Sequence, residues 1–253
     1  LTPDAARVPI RADRPLEPLM KIALVAAVAS VALAGTTQAS DLKSCAVPIS
    51  VAPAPSEIPP PNEIHTDVPI AAYLLALFWS PESCRAGIPE SDKAIQCQAN
   101  SFGFTVHGLW PNGPDKVHPR YCRPSPPMSP ATVKANLCMT PSPWLLQHEW
   151  QAHGTCKWDT PEAYFNKARK IREKLDVPDL DPGADGIMLA GEIRKAFLDR
   201  NRKLAPEDLN VRVKDGRLTE VWVCMDLKFK WAACRGGNGV PDMAVVKVTP
   251  KRG

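Results

Sequence analysis

The chain has 253 residues, of which 44% are hydrophobic and 23% charged, and a formal net charge of +4. That length holds one large domain or two small ones, of which one is expected, and the roughly balanced charge argues against a disordered tail protein. The modest positive charge suits an anionic partner without requiring one, so any nucleic-acid chemistry has to be read from particular residues.

In chain order, residues 1–19 are polar, punctuated by proline and followed by Met20, which predicts an upstream extension before an initiator. Met20 and Lys21 precede an apolar run over residues 22–34, and small residues follow at Thr37 and Ala39. A charged start, a short hydrophobic stretch and small residues near a cleavage point predict a secretory signal over residues 20–39, with Ser40 opening the mature chain. The run is shorter than a membrane span requires, so no membrane anchor is expected in the mature chain, and the destination is periplasmic or extracellular. Export changes how the eight cysteines are read, because an even count in an oxidising compartment predicts disulfides. No C-x-x-C spacing of a structural zinc site occurs, and spacing alone leaves the pairing open.

Residues 40–66 are dense in proline, including Pro59, Pro60 and Pro61, which favours extended backbone and reads as an N-terminal arm or linker. The globular domain is then expected over residues 67–253. Its first element is the apolar run from Tyr73 to Trp79, closed by Ser80 and Pro81, the pattern of a buried central strand. Phe102, Phe104 and Val106 alternate with Gly103, Thr105 and His107, which predicts a strand ending at His107, with Gly108 and Pro111 marking its exit. Prolines between Pro111 and Pro143 predict a long ordered loop with a short helix over residues 132–137. Thr160 and Pro161 open a helix to Val177, a second helix is predicted over residues 187–201, and Val211 to Met225 alternate around Asp215-Gly216 as a hairpin. Helices and strands segregate, which predicts an α+β class.

Two segments concentrate the chemistry: Phe104-Thr105-Val106-His107-Gly108-Leu109-Trp110-Pro111 and His148-Glu149-Trp150-Gln151-Ala152-His153-Gly154-Thr155-Cys156. They hold three of the chain's five histidines, and imidazole gives and takes protons near neutral pH. If residues 144–153 are helical, Glu149 shares a face with His153, and His148 lies about a third of a turn away. The zinc motif H-E-x-x-H needs histidines four apart; His148 and His153 are five apart. Five residues turn a helix by about 140°, which predicts imidazoles that diverge instead of meeting at one metal.

These segments resemble the active-site segments of the ribonuclease T2 family, I/V-H-G-L-W-P and H-E-W-x-K-H-G-T-C, at every defined position but one. The likeness extends from Tyr73-Trp79 with Cys84 to the segment from Leu218 to Cys224 with Cys234. It implies a disulfide-stabilised α+β fold, a central antiparallel sheet flanked by helices, and a monomeric endoribonuclease of low base specificity that needs no metal or other cofactor. It implies that RNA is the partner and that His153 is the base taking the 2′-proton. His107 would be the acid protonating the 5′-oxygen, His148 would hold the phosphate, Glu149 would orient or polarise it, and Trp110 would stack on a base. The products would be 2′,3′-cyclic phosphate and then 3′-phosphate ends. The resemblance also implies disulfides Cys84–Cys97, Cys122–Cys156 and Cys224–Cys234, which leaves Cys45 with Cys138.

The one departure is Ala152, which stands where the family has a lysine. Loss of a cation aimed at the phosphate predicts a slowed enzyme unless another group substitutes, and Lys157 is the nearest candidate in sequence. A retired, RNA-binding or storage relative is the second reading, and a zinc hydrolase the third.

Overall fold

Eight apolar residues in succession, Ala72–Trp79, form strand β1, and Pro81 in the first turn helps redirect the chain into helix α1, Ser80–Ala86. The short helix α2, Glu90–Lys93, leads towards β2, Phe104–Asn112. Helix α3 spans Pro130–Asn136, and α4 spans Pro143–Ala152 with Ser142 capping it by accepting from the Leu145 N–H. Thr160 caps α5, Pro161–Lys174, in the same way, with proline in the first turn. There follow β3, Ile187–Leu189, and α6, Ala190–Arg200. Strands β4, Leu209–Lys214, β5, Arg217–Met225, and β6, Val245–Lys247, complete the fold. This computed structural model describes residues 45–251, so the expected extension and signal, with the first residues of the arm, lie outside the described residues.

The strands form one sheet in the order β2-β1-β5-β6-β3, with β4 also paired to β5. β1 runs antiparallel to β2 on one side and to β5 on the other, which explains its unbroken apolar sequence. Leu75 and Leu77 of β1 are fully buried in the main core with side chains of α4, α5 and α6, including Leu146, Phe165 and Phe197. The opposite face carries Leu74 and Ala76 beside the Cys224–Cys234 bridge, Trp110 and Trp222. The class is therefore α+β, with the helices packed on one side of a mainly antiparallel sheet.

Two expectations change. The predicted helix over residues 187–201 begins only at Ala190, because Ile187–Leu189 pair antiparallel with Val245–Lys247, a partner far away in sequence. His107 does not end its strand; β2 continues to Asn112 because β1 offers partners as far as Ala72. At the predicted hairpin, Asp215 and Gly216 both have positive φ, 52° and 73°, the conformation that tight two-residue turns need.

The disulfides are Cys45–Cys138, Cys84–Cys97, Cys122–Cys156 and Cys224–Cys234. The first ties the proline-rich arm to the segment between α3 and α4. Beyond that tether the arm lies on the domain, with Ala54 buried and Val47 and Val51 against the core.

Candidate active site

The strand side of the site is built by an irregularity. Ala76 pairs with Gly108 and Leu77 with Val106, so His107 is the extra residue of a β-bulge in β2. A bulge resets the two-residue alternation. Val106 and Leu109 both enter the main core, while Trp110 falls on the same side of the sheet as His107. The His107 ring stacks on Phe78 at 3.9 Å, and its Nδ1 lies 2.5 Å from Glu220 Oε1 on β5.

The helix side comes from the last turn of α4. His148 and Glu149 are helical, but the helix ends at Ala152, and His153 follows with φ −122°. That break corrects the expected divergence: donor atoms of His148, Glu149 and His153 all lie within 4.8 Å of one another. A residue leaving the helix no longer obeys the helical rotation on which the expectation rested. His148 Nδ1 meets Glu57 at 2.9 Å and Glu149 Oε2 accepts from Trp110 Nε1 at 2.7 Å, which leaves His148 Nε2 and Glu149 Oε1 turned to the cluster. A metal ion there would face the Arg120 guanidinium, whose Nη2 is 3.5 Å from His148 Nε2.

Glu149 is the meeting point of the two sides. It is 1% exposed, and its Oε1 lies 3.3 Å from His107 Nε2. Gly108 permits this approach, because a Cβ at that position would collide with the Glu149 carboxylate and crowd Trp110 Nε1. Trp110 packs against both outer imidazoles, 5.2 Å from the His153 ring and 4.9 Å from that of His107.

The surroundings drive the two imidazoles apart. Burial alone would lower the pKa of His107, but the carboxylates of Glu149 and Glu220 outweigh it and raise the pKa to about 9. For His153 burial dominates; Glu149 opposes it, Arg120, His148 and His107 add to it, and the pKa falls to about 3. Burial would raise the pKa of Glu149, yet His107, His153 and His148 hold it at about 2. Between these limits the site contains a charged His107, a neutral His153 and an ionised Glu149.

All five sequence-predicted site residues, His107, Trp110, His148, Glu149 and His153, therefore fall in one cluster. Glu57, Arg120, Trp144 and Glu220 join it without having been anticipated. Glu57 binds His148 from the arm, Trp144 stacks on the His148 ring at 5.2 Å, and Glu220 orients His107. The Tyr164 hydroxyl accepts from the Leu109 N–H at 3.0 Å, fixing β2 against α5. Glu220 lies inside the late-strand segment that carries the family likeness, whereas nothing in the proline-rich pattern marks Glu57. Ala152 is fully buried, and Lys157 is exposed. Beside the cluster a cavity of about 450 Å³ is lined by Asn112, His118, Trp222 and the Cys224–Cys234 bridge, among others.

The sequence model described as "Ribonuclease T2 family" matches residues 70–234, well over half the chain. A "Probable ribonuclease" of Haemophilus influenzae is 31% identical over 184 residues, covering 68% of this chain and 63% of that protein. A "Ribonuclease" of Aeromonas hydrophila is 34% identical over 106 residues, covering 42% of this chain and 46% of that protein. The chain thus spans less than two thirds of the length of either relative. Among solved structures, an "RNase-related protein from Calystegia sepium" superimposes with a TM-score of 0.59 at 18% identity, covering 73% of this chain and 98% of that one, a likeness of fold.

Gly108→Ala places a methyl group where the Glu149 carboxylate sits. It is expected to lower stability by about 1–3 kcal/mol in urea denaturation and to shift the Trp110 indole N–H resonance. Unchanged stability together with an unmoved resonance would refute the close packing of these groups.

Proposed function

The chain belongs to the ribonuclease T2 family, and from that membership and the charge pattern of its site we propose that it is a metal-independent endoribonuclease acting on single-stranded RNA. The observation that carries the reading is geometric: His107 and His153 both lie against Glu149 and Trp110, in surroundings that favour the charged form of the first imidazole and the neutral form of the second. Transesterification of RNA needs that pair of states at once, a base for the 2′-hydroxyl and an acid for the departing 5′-oxygen.

In this mechanism neutral His153 removes the 2′-proton as the 2′-oxygen attacks phosphorus. His107, held by Glu220, gives its proton to the 5′-oxygen as the P–O5′ bond breaks. The resulting 2′,3′-cyclic phosphate is opened by water with the roles exchanged, leaving a 3′-phosphate. His148, fixed through Nδ1 by Glu57, presents Nε2 to the phosphate, and Glu149 balances the charge of His107 as protons move. Trp110 has its indole N–H committed to Glu149, so any contact it makes with a base uses the ring. The proposal extends to low base specificity and to a monomer, in which one chain supplies every group named. The four disulfides support export to an oxidising compartment.

Ala152 sustains a second reading, a catalytically weakened relative that binds or stores RNA. The two are separated by incubating the disulfide-intact protein with RNA and EDTA and analysing the ends. Cyclic 2′,3′-phosphate and 3′-phosphate products, lost in His107→Ala and His153→Ala, are expected. Binding without cleavage would support the second reading, and chelator-sensitive cleavage would overturn metal independence.

The pH dependence follows from the signs of the shifts. Falling pH protonates His153 and removes the base; rising pH deprotonates His107 and removes the acid. Cleavage should therefore follow a broad bell bounded by limbs near pH 3 and 9, centred on the acidic side of neutral. A rate still climbing between about pH 7 and about 9 would contradict the assignment.

A further inference from the structure

Arg120 brings a guanidinium to the histidine cluster from outside both histidine motifs. Its backbone pairs with His65 of the arm, N to O, at 3.0 Å and 2.9 Å. The next residue, Tyr121, donates its N–H to the Ala152 carbonyl at 2.9 Å, so this loop runs along the end of α4. Ala152 lies one helical turn beyond His148, on the same face. Arg120 therefore sits beside the position at which the site would otherwise look for a lysine.

The hydrogen bonding of Arg120 is incomplete. Nη2 is 3.1 Å from Glu63 Oε2 and 3.5 Å from His148 Nε2, and the buried Nε has no acceptor. The group is also close enough to His153 to help depress that imidazole's pKa. A guanidinium has donors only, and imidazoles cannot satisfy several of them. A group with several lone pairs and a negative charge can, and a phosphodiester meets that description.

We propose that Arg120 contacts the scissile phosphate and supplies the positive charge that Ala152 does not, held in place by Glu63 of the arm. The proposal rests on the endoribonuclease reading. The arm thereby becomes part of the site, since Glu63 steadies Arg120, while Glu57 binds His148 Nδ1 and accepts from the Tyr121 hydroxyl at 3.0 Å. Both carboxylates lie before residue 70, where the family match begins. With a cation already present, the slowing expected from Ala152 does not arise.

The test uses Arg120→Gln, which removes the charge while keeping a stem to pack over Tyr121, and Arg120→Lys, which restores a charge. Affinity for inorganic phosphate is measured by calorimetry and kcat/KM by cleavage of single-stranded RNA, on disulfide-intact protein. Arg120→Gln should weaken phosphate binding about tenfold or more and lower kcat/KM on the order of a hundredfold, whereas Arg120→Lys should recover much of both. Ala152→Lys should not raise the rate in the wild-type background and should raise it in Arg120→Gln. Equal phosphate affinity and equal cleavage in wild type and Arg120→Gln would overturn the proposal while leaving the endoribonuclease reading intact. A wild-type protein that fails to cleave RNA, yet loses phosphate affinity on Arg120→Gln, would defeat the enzymatic reading and retain Arg120 as an anion site.

Discussion

Glu149 is a carboxylate with almost no contact with water that nevertheless stays ionised, and the site is arranged around that requirement. A buried charge without partners costs several kcal/mol, enough to erase a large part of a domain's stability. Here the Trp110 indole N–H and the imidazolium of His107 offset that cost, with His148 and His153 close by. The strand and the helix must come close for these groups to meet, and a side chain at position 108 would hold them apart.

The same carboxylate separates the two outer histidines. His107 has a second carboxylate, Glu220, on its far nitrogen, and its charge is secured. His153 faces Glu149 as well, but it is more deeply buried and has Arg120, His148 and His107 around it, so the neutral form prevails. Two identical side chains acquire opposite charge preferences from their surroundings alone, and the proposed mechanism uses that difference to hold an acid and a base at one pH. Glu220 and Glu57 act at one remove, each binding the Nδ1 of an imidazole and leaving Nε2 directed into the cluster.

Much of this was legible in the sequence because it is local. The apolar run of β1, the Thr160-Pro161 start of α5 and the Asp215-Gly216 turn each carry their signal within a few residues. The identity of the clustered side chains was legible for a different reason, since the spacing of His107, His148, Glu149 and His153 is that of a family. What escaped was non-local. β3 is a strand only because β6 pairs with it, and the bulge at His107 is set by the register of β1 against β2. The convergence of His148 and His153 depends on where α4 stops, and a rotation rule that assumes continuous helix misses it. The arm is the furthest case: proline density describes its backbone correctly, yet the partners of Glu57 and Glu63 lie tens of residues away, beyond the reach of any pattern.

Whether one buried ionised carboxylate holds His107 charged and His153 neutral together is tested most directly by NMR titration of the imidazole resonances in the disulfide-intact protein. His107 is expected to keep its proton until near pH 9 and His153 to stay neutral down to near pH 3, with Glu149→Gln lowering the His107 value. Both imidazoles titrating together near the unperturbed value of about 6.5 would contradict that charge separation.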